Sequence, residues 1–192
     1  GDVRMRWRIP SLVLLFYQVL SLSAQQEMEQ RIQEAFRQGK LQEARRQAEE
    51  ALHTPTMAAL ALEWLGRIAL QEKHPNEAAA HFQDASAKGR LTQEMAEDWS
   101  AALMSLGRDH EASELLEKAL VQYPASPALQ FRLASIYMAQ GLPHKALPLL
   151  EETYQRGLRH SGVVIQLAQA LFASGRDDKA VILLESFYDG AS

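Results

Sequence analysis

The sequence predicts an all-α solenoid of about five helix–turn–helix repeats, and three observations support this fold class. Apolar residues recur three and four positions apart in short segments, which is typical of amphipathic helices. The pattern repeats every 34 residues without an insertion or a deletion. The twentieth position of each repeat is alanine, in the order Ala44, Ala78, Ala112, Ala146 and Ala180. A fixed period of this length indicates stacked repeats.

The segment 93–126 shows how one repeat is expected to fold. Its first half carries an apolar stripe that ends at Gly107, a residue that tolerates the left-handed backbone at the end of a helix. Asp109 follows where a second helix needs a side-chain acceptor for its free N–H groups, and Pro124 ends that helix. We therefore expect two short helices joined by a tight turn.

The same register divides the rest of the chain. The predicted repeats are 25–58, 59–92, 93–126, 127–160 and 161–192, and repeat positions are numbered 1 to 34 from each start. Position 15 is glycine in four repeats and Lys73 in the second. Position 8 is small in the last four repeats, so the two helices of each hairpin are expected to approach closely.

This pattern resembles the tetratricopeptide repeat, in which position 8 is small, positions 20 and 27 are alanine, and position 24 is large and apolar. The second repeat matches it best, through Leu65, Gly66, Ala78, Phe82 and Ala85. The resemblance covers residues 25–192. It implies a right-handed superhelical solenoid that binds a protein or peptide on its concave surface.

The match is weaker in the end repeats. The first repeat has Arg31 and Ile32 where the family prefers leucine and glycine. Thr153 and Phe187 replace the alanine at position 27 of the last two repeats.

Residues 1–24 lie outside the repeats and are expected to form a secretory signal peptide. Met5 is the expected start, Arg6 and Arg8 supply positive charge, and the apolar run from Ile9 to Leu22 is about fourteen residues. That run is shorter than the roughly 20 residues that span a bilayer. The alternative is an uncleaved signal anchor. Analogy with exported repeat proteins then places the chain in the bacterial periplasm or outside the cell, secreted or anchored to the inner membrane.

Composition argues against several classes of function. The chain has no cysteine, which excludes thiolate metal sites and a thiol nucleophile. Its net charge of −4 and the lack of a basic stripe argue against nucleic acid, although the RNA-binding pentatricopeptide family has a similar period. Neither the six histidines nor the carboxylates form a catalytic or metal motif. We therefore predict no enzyme, no metal and no cofactor.

The resemblance also implies which residues face the groove, mainly positions 2, 5, 9, 12 and 13 of each first helix. The candidate partner-binding residues are Arg67, Met104, Phe131, Ser135, Met138, Ile165, Gln169 and Phe172. Early groove positions carry Glu29, Glu63 and Glu97, which would repel the terminal carboxylate that some members of the family clamp. The later groove is apolar, and exposed apolar surface of this kind marks interaction sites.

The resulting hypothesis is a non-catalytic adaptor of the cell envelope. Its last three repeats would hold an apolar peptide or helix, and its acidic early repeats would face a basic flank of that partner. The apolar groove residues could instead contact neighbouring helices, or be covered by a second copy of the chain. Two other functions stay open, a structural protein that self-assembles through its C-terminal repeat, and a regulatory subunit of an envelope enzyme.

Overall fold

The computed structural model describes residues 8–190, except for the side chains of residues 8–12, 17 and 20. This part of the chain forms ten helices and no strand. The helices are α1 (Arg8–Arg37), α2 (Leu41–Leu52), α3 (Ala58–Gln71), α4 (Pro75–Ala87), α5 (Gln93–Ser105), α6 (Asp109–Gln122), α7 (Pro127–Ala139), α8 (Pro143–Gln155), α9 (Ser161–Ala173) and α10 (Asp177–Asp189).

The helices belong to two compact units. Within the described residues, the first unit comprises 8–72 and 80–90, and the second comprises 73–79 and 91–190. In the first unit, α2 packs against both α1 and α3. In the second, each helix from α5 to α10 packs against the next, and α7 also contacts α5 and α9. The hairpin order therefore follows the 34-residue register.

The turn between the two helices of each hairpin has a left-handed residue at position 15. Its φ angle lies between 64° and 72° at Gly39, Lys73, Gly107, Gly141 and Gly175. In four of these turns, the backbone N–H of the residue after position 15 donates to a carbonyl in the last turn of the helix. Arg108, for example, donates to the Leu103 carbonyl at 2.9 Å. The sequence predicted Asp109 as the N-cap of α6, and this prediction was wrong, because the helix begins at Asp109 and its N-cap residue is Arg108.

Lys73 is the one residue other than glycine with a positive φ among the described residues, and its side chain crowds the backbone in that conformation. Replacing Lys73 by glycine should therefore stabilise the protein by about 0.5–1 kcal/mol, net of the entropy that glycine loses on folding. Chemical unfolding of purified protein measures this change. The control, Gly107→Ala, should lower stability by a similar amount, and a destabilised Lys73→Gly variant would contradict the account.

Close packing of the hairpins depends on positions 8 and 24. In the second hairpin, a Cβ atom added to Gly66 would lie 2.5 Å from the ring of Phe82, which is fully buried. In the first hairpin the sizes are exchanged, since Ile32 occupies position 8 and Ala48 occupies position 24 in one buried cluster. The departure of the first repeat from the family pattern thus preserves the packed volume.

Gly66→Ala should destabilise the protein by about 1–3 kcal/mol, because the new methyl group would collide with the Phe82 ring. Combining Gly66→Ala with Phe82→Leu should recover part of that loss, since the fourth hairpin buries Ala134 and Leu150 at the same two positions. Denaturant unfolding of the single and double variants measures the coupling. Purely additive losses would show that the two positions do not share space.

Thr153 has a specific polar partner, which accounts for its place in a position that is alanine in the family. Gln130 is 2% exposed and donates from Nε2 to the Pro124 carbonyl at 3.1 Å. Its Oε1 lies 3.4 Å from Thr153 Oγ1. The buried threonine hydroxyl is therefore satisfied by a glutamine from the neighbouring helix.

The first helix is longer than the sequence pattern indicates. It runs without interruption from Arg8 to Arg37, because residues 11–37 contain neither proline nor glycine. Large apolar side chains at Val13, Leu14, Leu15, Phe16, Val19 and Leu22 are 47–63% exposed. Met5 and Arg6 of the expected signal peptide lie outside the described residues. Among the helices that are described, none combines the length and hydropathy needed to cross a membrane.

Tyr137 joins α7 to α6 through a partly buried hydrogen bond. Its hydroxyl donates to Glu117 Oε1 at 2.5 Å, and the side chain is largely removed from solvent. Burial and the adjacent carboxylate both disfavour the phenolate, and they raise the pKa of Tyr137 to about 12. The raised pKa means that protonated Tyr137 stabilises the folded state relative to the unfolded chain, in which the tyrosine pKa is about 10. This stabilisation is complete below about pH 10 and is lost as pH rises through about 12.

A spectrophotometric titration should therefore show one tyrosine that stays mostly protonated at pH 11, one unit below its raised pKa of about 12. Tyr137→Phe should remove that late transition, whereas Tyr188→Phe, at a residue that is 63% exposed, should leave it in place. Titration of Tyr137 together with the others would contradict the assignment.

Candidate functional site

In the second compact unit, the first helices of three hairpins lie side by side, and their exposed faces are rich in apolar residues. Positions 5, 9 and 12 share one face of each helix, because they are four and three residues apart. Met104 on α5 is 37% exposed, and Ile165 and Phe172 on α9 are each 44% exposed. Phe131 and Met138 on α7 are half-buried. We call the surface formed by positions 5, 9 and 12 of α5, α7 and α9 the apolar groove.

A cleft of about 420 Å³ opens within this surface, between α5, α7 and the turn before α9. Its walls bring together three of the residues predicted from the sequence, Met104, Phe131 and Ser135. The other lining residues are Glu97, Ala128, Arg132, Leu158 and His160. Of the remaining predicted residues, Met138, Ile165, Gln169 and Phe172 lie on α7 or α9 outside the cleft.

An aromatic pair forms one side of the cleft. The rings of Phe131 and His160 meet edge to face, with centroids 5.1 Å apart and planes at 85°. A Cβ atom on Gly162 would lie 3.1 Å from the imidazole and 3.5 Å from Phe131. The glycine therefore leaves the space that allows the two rings to meet.

His160 was not predicted from the sequence as a groove residue, although this exposed side chain lines the cleft. Thr92 and Ser126 precede α5 and α7, and each accepts a hydrogen bond from a backbone N–H of its helix, at 3.1 and 3.3 Å. His160 occupies the same repeat position before α9 but makes no capping bond with its side chain. The sequence did contain a signal for this role, because a histidine stands at the position where two preceding repeats have a hydroxyl residue that caps the next helix.

Ser135 is used to hold two helices together. Its hydroxyl oxygen lies 2.9 Å from the Phe131 carbonyl oxygen and 3.0 Å from Gln166 Oε1 on α9. The serine thus contributes a polar edge to the cleft while linking α7 to α9.

The cleft contains two charged groups of opposite sign. The Glu97 carboxylate accepts a hydrogen bond from Gln93 Nε2 at 3.2 Å, a neutral donor. The side chain of Arg132 has no hydrogen bond or ion pair with another described residue. Both side chains are partly buried, so water screens their charges less than on an open surface.

Arg67 and Glu63 lie in the first compact unit and have a different environment. Glu63 is 3% exposed, with Oε1 at 3.1 Å from Arg67 Nη2 and Oε2 bonded to Arg90. The Arg67 guanidinium also stacks over Trp64, 5.0 Å from the ring centroid. Glu63 therefore does not present its charge to a partner, in contrast to the expectation from sequence, because two arginines neutralise it inside the unit.

No three His, Asp or Glu side chains among the described residues gather into a cluster that could hold a metal ion.

Solved structures with the same fold have low sequence identity to this chain. YrrB, described as a tetratricopeptide repeat protein with an unusual peptide-binding site, is 17% identical, with a TM-score of 0.71, over 82% of this chain and 81% of its own. PilF from Pseudomonas aeruginosa is 19% identical, with a TM-score of 0.72, over 88% and 77% of the two chains. MamA from Desulfovibrio magneticus RS-1 is 14% identical, with a TM-score of 0.72, over 86% and 93%.

These similarities confirm the predicted helical-repeat solenoid. Comparison with curated proteins gives no significant match. Sequence models of the tetratricopeptide repeat match residues 30–90 and 131–192, and a second such model matches residues 94–136. Proteins of this repeat type are generally modules for protein interaction. The chain belongs to the tetratricopeptide repeat family.

Proposed function

We propose that this protein is a non-catalytic adaptor of the cell envelope that holds an apolar peptide or helix of a partner protein in the apolar groove. One observation carries the proposal. Large apolar side chains are exposed or half-buried on three adjacent first helices, whereas most other apolar residues of these helices are buried. A contiguous apolar surface of this kind is typical of an interaction site.

The composition of the groove suits a peptide or helix. Met104 and Met138 are flexible and polarisable, so they adapt to side chains of different shape. Phe131, Ile165 and Phe172 offer larger apolar surfaces at helical spacing across α7 and α9. YrrB provides a precedent for a peptide-binding site on this fold.

The polar groups of the groove support a binding role over a catalytic one. The Ser135 hydroxyl contacts a backbone carbonyl and an amide oxygen, and its recorded contacts include no basic side chain that would activate it as a nucleophile. The His160 ring packs on Phe131. Ser135 and His160 thus help to position the walls of the groove.

The N-terminal segment supports an envelope location. Its positive residues, apolar run and small residues near 21–24 have the order of an export signal. The proposal therefore includes export and an envelope protein as the partner, with membrane contact restricted to this segment if it is retained. The acidic composition of the chain favours a protein partner over nucleic acid.

The test is crosslinking in the cells that make the protein, followed by affinity capture and mass spectrometry. A double variant, Phe131→Glu with Phe172→Glu, places two charges in the apolar groove and should reduce partner recovery at least tenfold. The matched control is Val121→Glu on α6, at a side chain that is 82% exposed, and it should recover the partner at the wild-type level. Circular dichroism should show unchanged helicity in both variants.

Equal recovery of an envelope partner by the folded groove variant would overturn the groove assignment. Recovery of no envelope protein, with crosslinks only between copies of the chain, would favour a self-assembling structural protein.

The C-terminal helix provides the specific observation for that second function. Val181 on α10 is 43% exposed, whereas Ser113 and Leu147 at the same repeat position are buried. Ile182 and Tyr188 on α10 are each 63% exposed. A second copy that packs on this face would cover the apolar surface, and sedimentation at increasing concentration would detect the assembly.

A further inference from the structure

We propose that the cleft selects a partner segment in which one apolar side chain lies between a basic residue and an acidic residue. This inference rests on the proposed binding function and adds the chemistry of the ligand. The basic residue would face Glu97 on α5, and the acidic residue would face Arg132 on α7.

The apolar part of the proposal follows from the walls of the cleft. Met104, Phe131 and Leu158 contribute apolar surface from α5, α7 and the turn before α9. The volume of about 420 Å³ lies at the small end of the range for ligand sites in proteins. A cleft of that size accommodates one large apolar side chain of a peptide together with adjacent backbone.

The charged part follows from Glu97 and Arg132, neither of which forms an ion pair with another residue in the part of the chain that the structure describes. The hydrogen bond that Glu97 accepts comes from a neutral amide, and Arg132 is not paired with any described residue. A ligand with the complementary charges would satisfy both groups at once, which gives specificity as well as affinity. A ligand with a negative charge beside Glu97, or a positive charge beside Arg132, would bind more weakly because like charges repel.

The surrounding charges fix the direction of this preference. Glu97 is the acidic residue in the wall formed by α5. Arg132 is the cationic residue in the wall formed by α7. Arg159, near the turn before α9, instead donates to the Tyr154 carbonyl and stacks on that ring. The cleft is therefore dipolar, and its negative side is α5.

The test uses synthetic eleven-residue peptides with a central leucine in a serine and glutamine background. Four types of peptide are compared. The first is neutral, the second has a lysine on one side of the leucine, the third has a glutamate on the other side, and the fourth has both. Each charged residue is placed two, three or four residues from the leucine. Chemical-shift titration of isotope-labelled full chain measures the affinity and locates the site. Each correctly placed charge should strengthen binding about threefold, and the two together about tenfold.

Three variants separate the contributions. Arg132→Gln should abolish the preference for glutamate and leave the preference for lysine, and Glu97→Gln should do the reverse. Arg132→Lys should retain part of the glutamate preference, because it keeps the charge. The matched control, Arg108→Gln, removes a cation that pairs with Glu111 outside the cleft and should change neither preference.

Two results would overturn the inference, and they can be told apart. Equal binding of neutral and charged peptides to wild type, with shifts at Phe131, would overturn the charge preference and leave the apolar groove intact. Absence of binding by every peptide would overturn both this inference and the proposed function of the groove.

Discussion

The structure depends on a close approach of two helices in every hairpin, and this approach is a constraint on volume. Position 8 of one helix and position 24 of the next share a fixed space. The second hairpin fills it with Gly66 and Phe82, and the fourth fills it with Ala134 and Leu150. Because protein cores are packed as tightly as crystals, a larger side chain at one of these positions requires a smaller one at the other.

The same constraint determines where function can reside. Residues that fix the hairpin spacing point into the core, so positions 5, 9 and 12 are free to change from one repeat to the next. In the second repeat they hold an internal ion pair, Glu63 with Arg67, and in the fourth they present Phe131 and Ser135 to the groove. The scaffold is thus uniform while its exposed surface is specific to this chain, which is how function is generally placed on a repeat fold.

The sequence predicts the repeated fold well because the signals are local. Position 15 is left-handed even where it is Lys73, and the order of the hairpins follows the 34-residue register. The environment of Glu63 could not be predicted in this way. Arg90, which binds it, is 27 residues away, and the contact depends on how α3 meets the turn that follows α4. The sequence did not predict that α1 continues across residue 24. The composition changes there from apolar to polar, but no helix-breaking residue accompanies the change.

His160 shows why a departure from a local rule is informative. A serine or threonine at this position caps the next helix, as Thr92 and Ser126 do, and loss of such a cap costs about 1 kcal/mol. The fifth repeat gives up that contribution, and the histidine ring instead joins Phe131 in the wall of the cleft. Functional sites commonly break the local preferences that the rest of a fold obeys. In the same cleft, Glu97 and Arg132 form no ion pair with any described residue, so three departures coincide at one place on the surface.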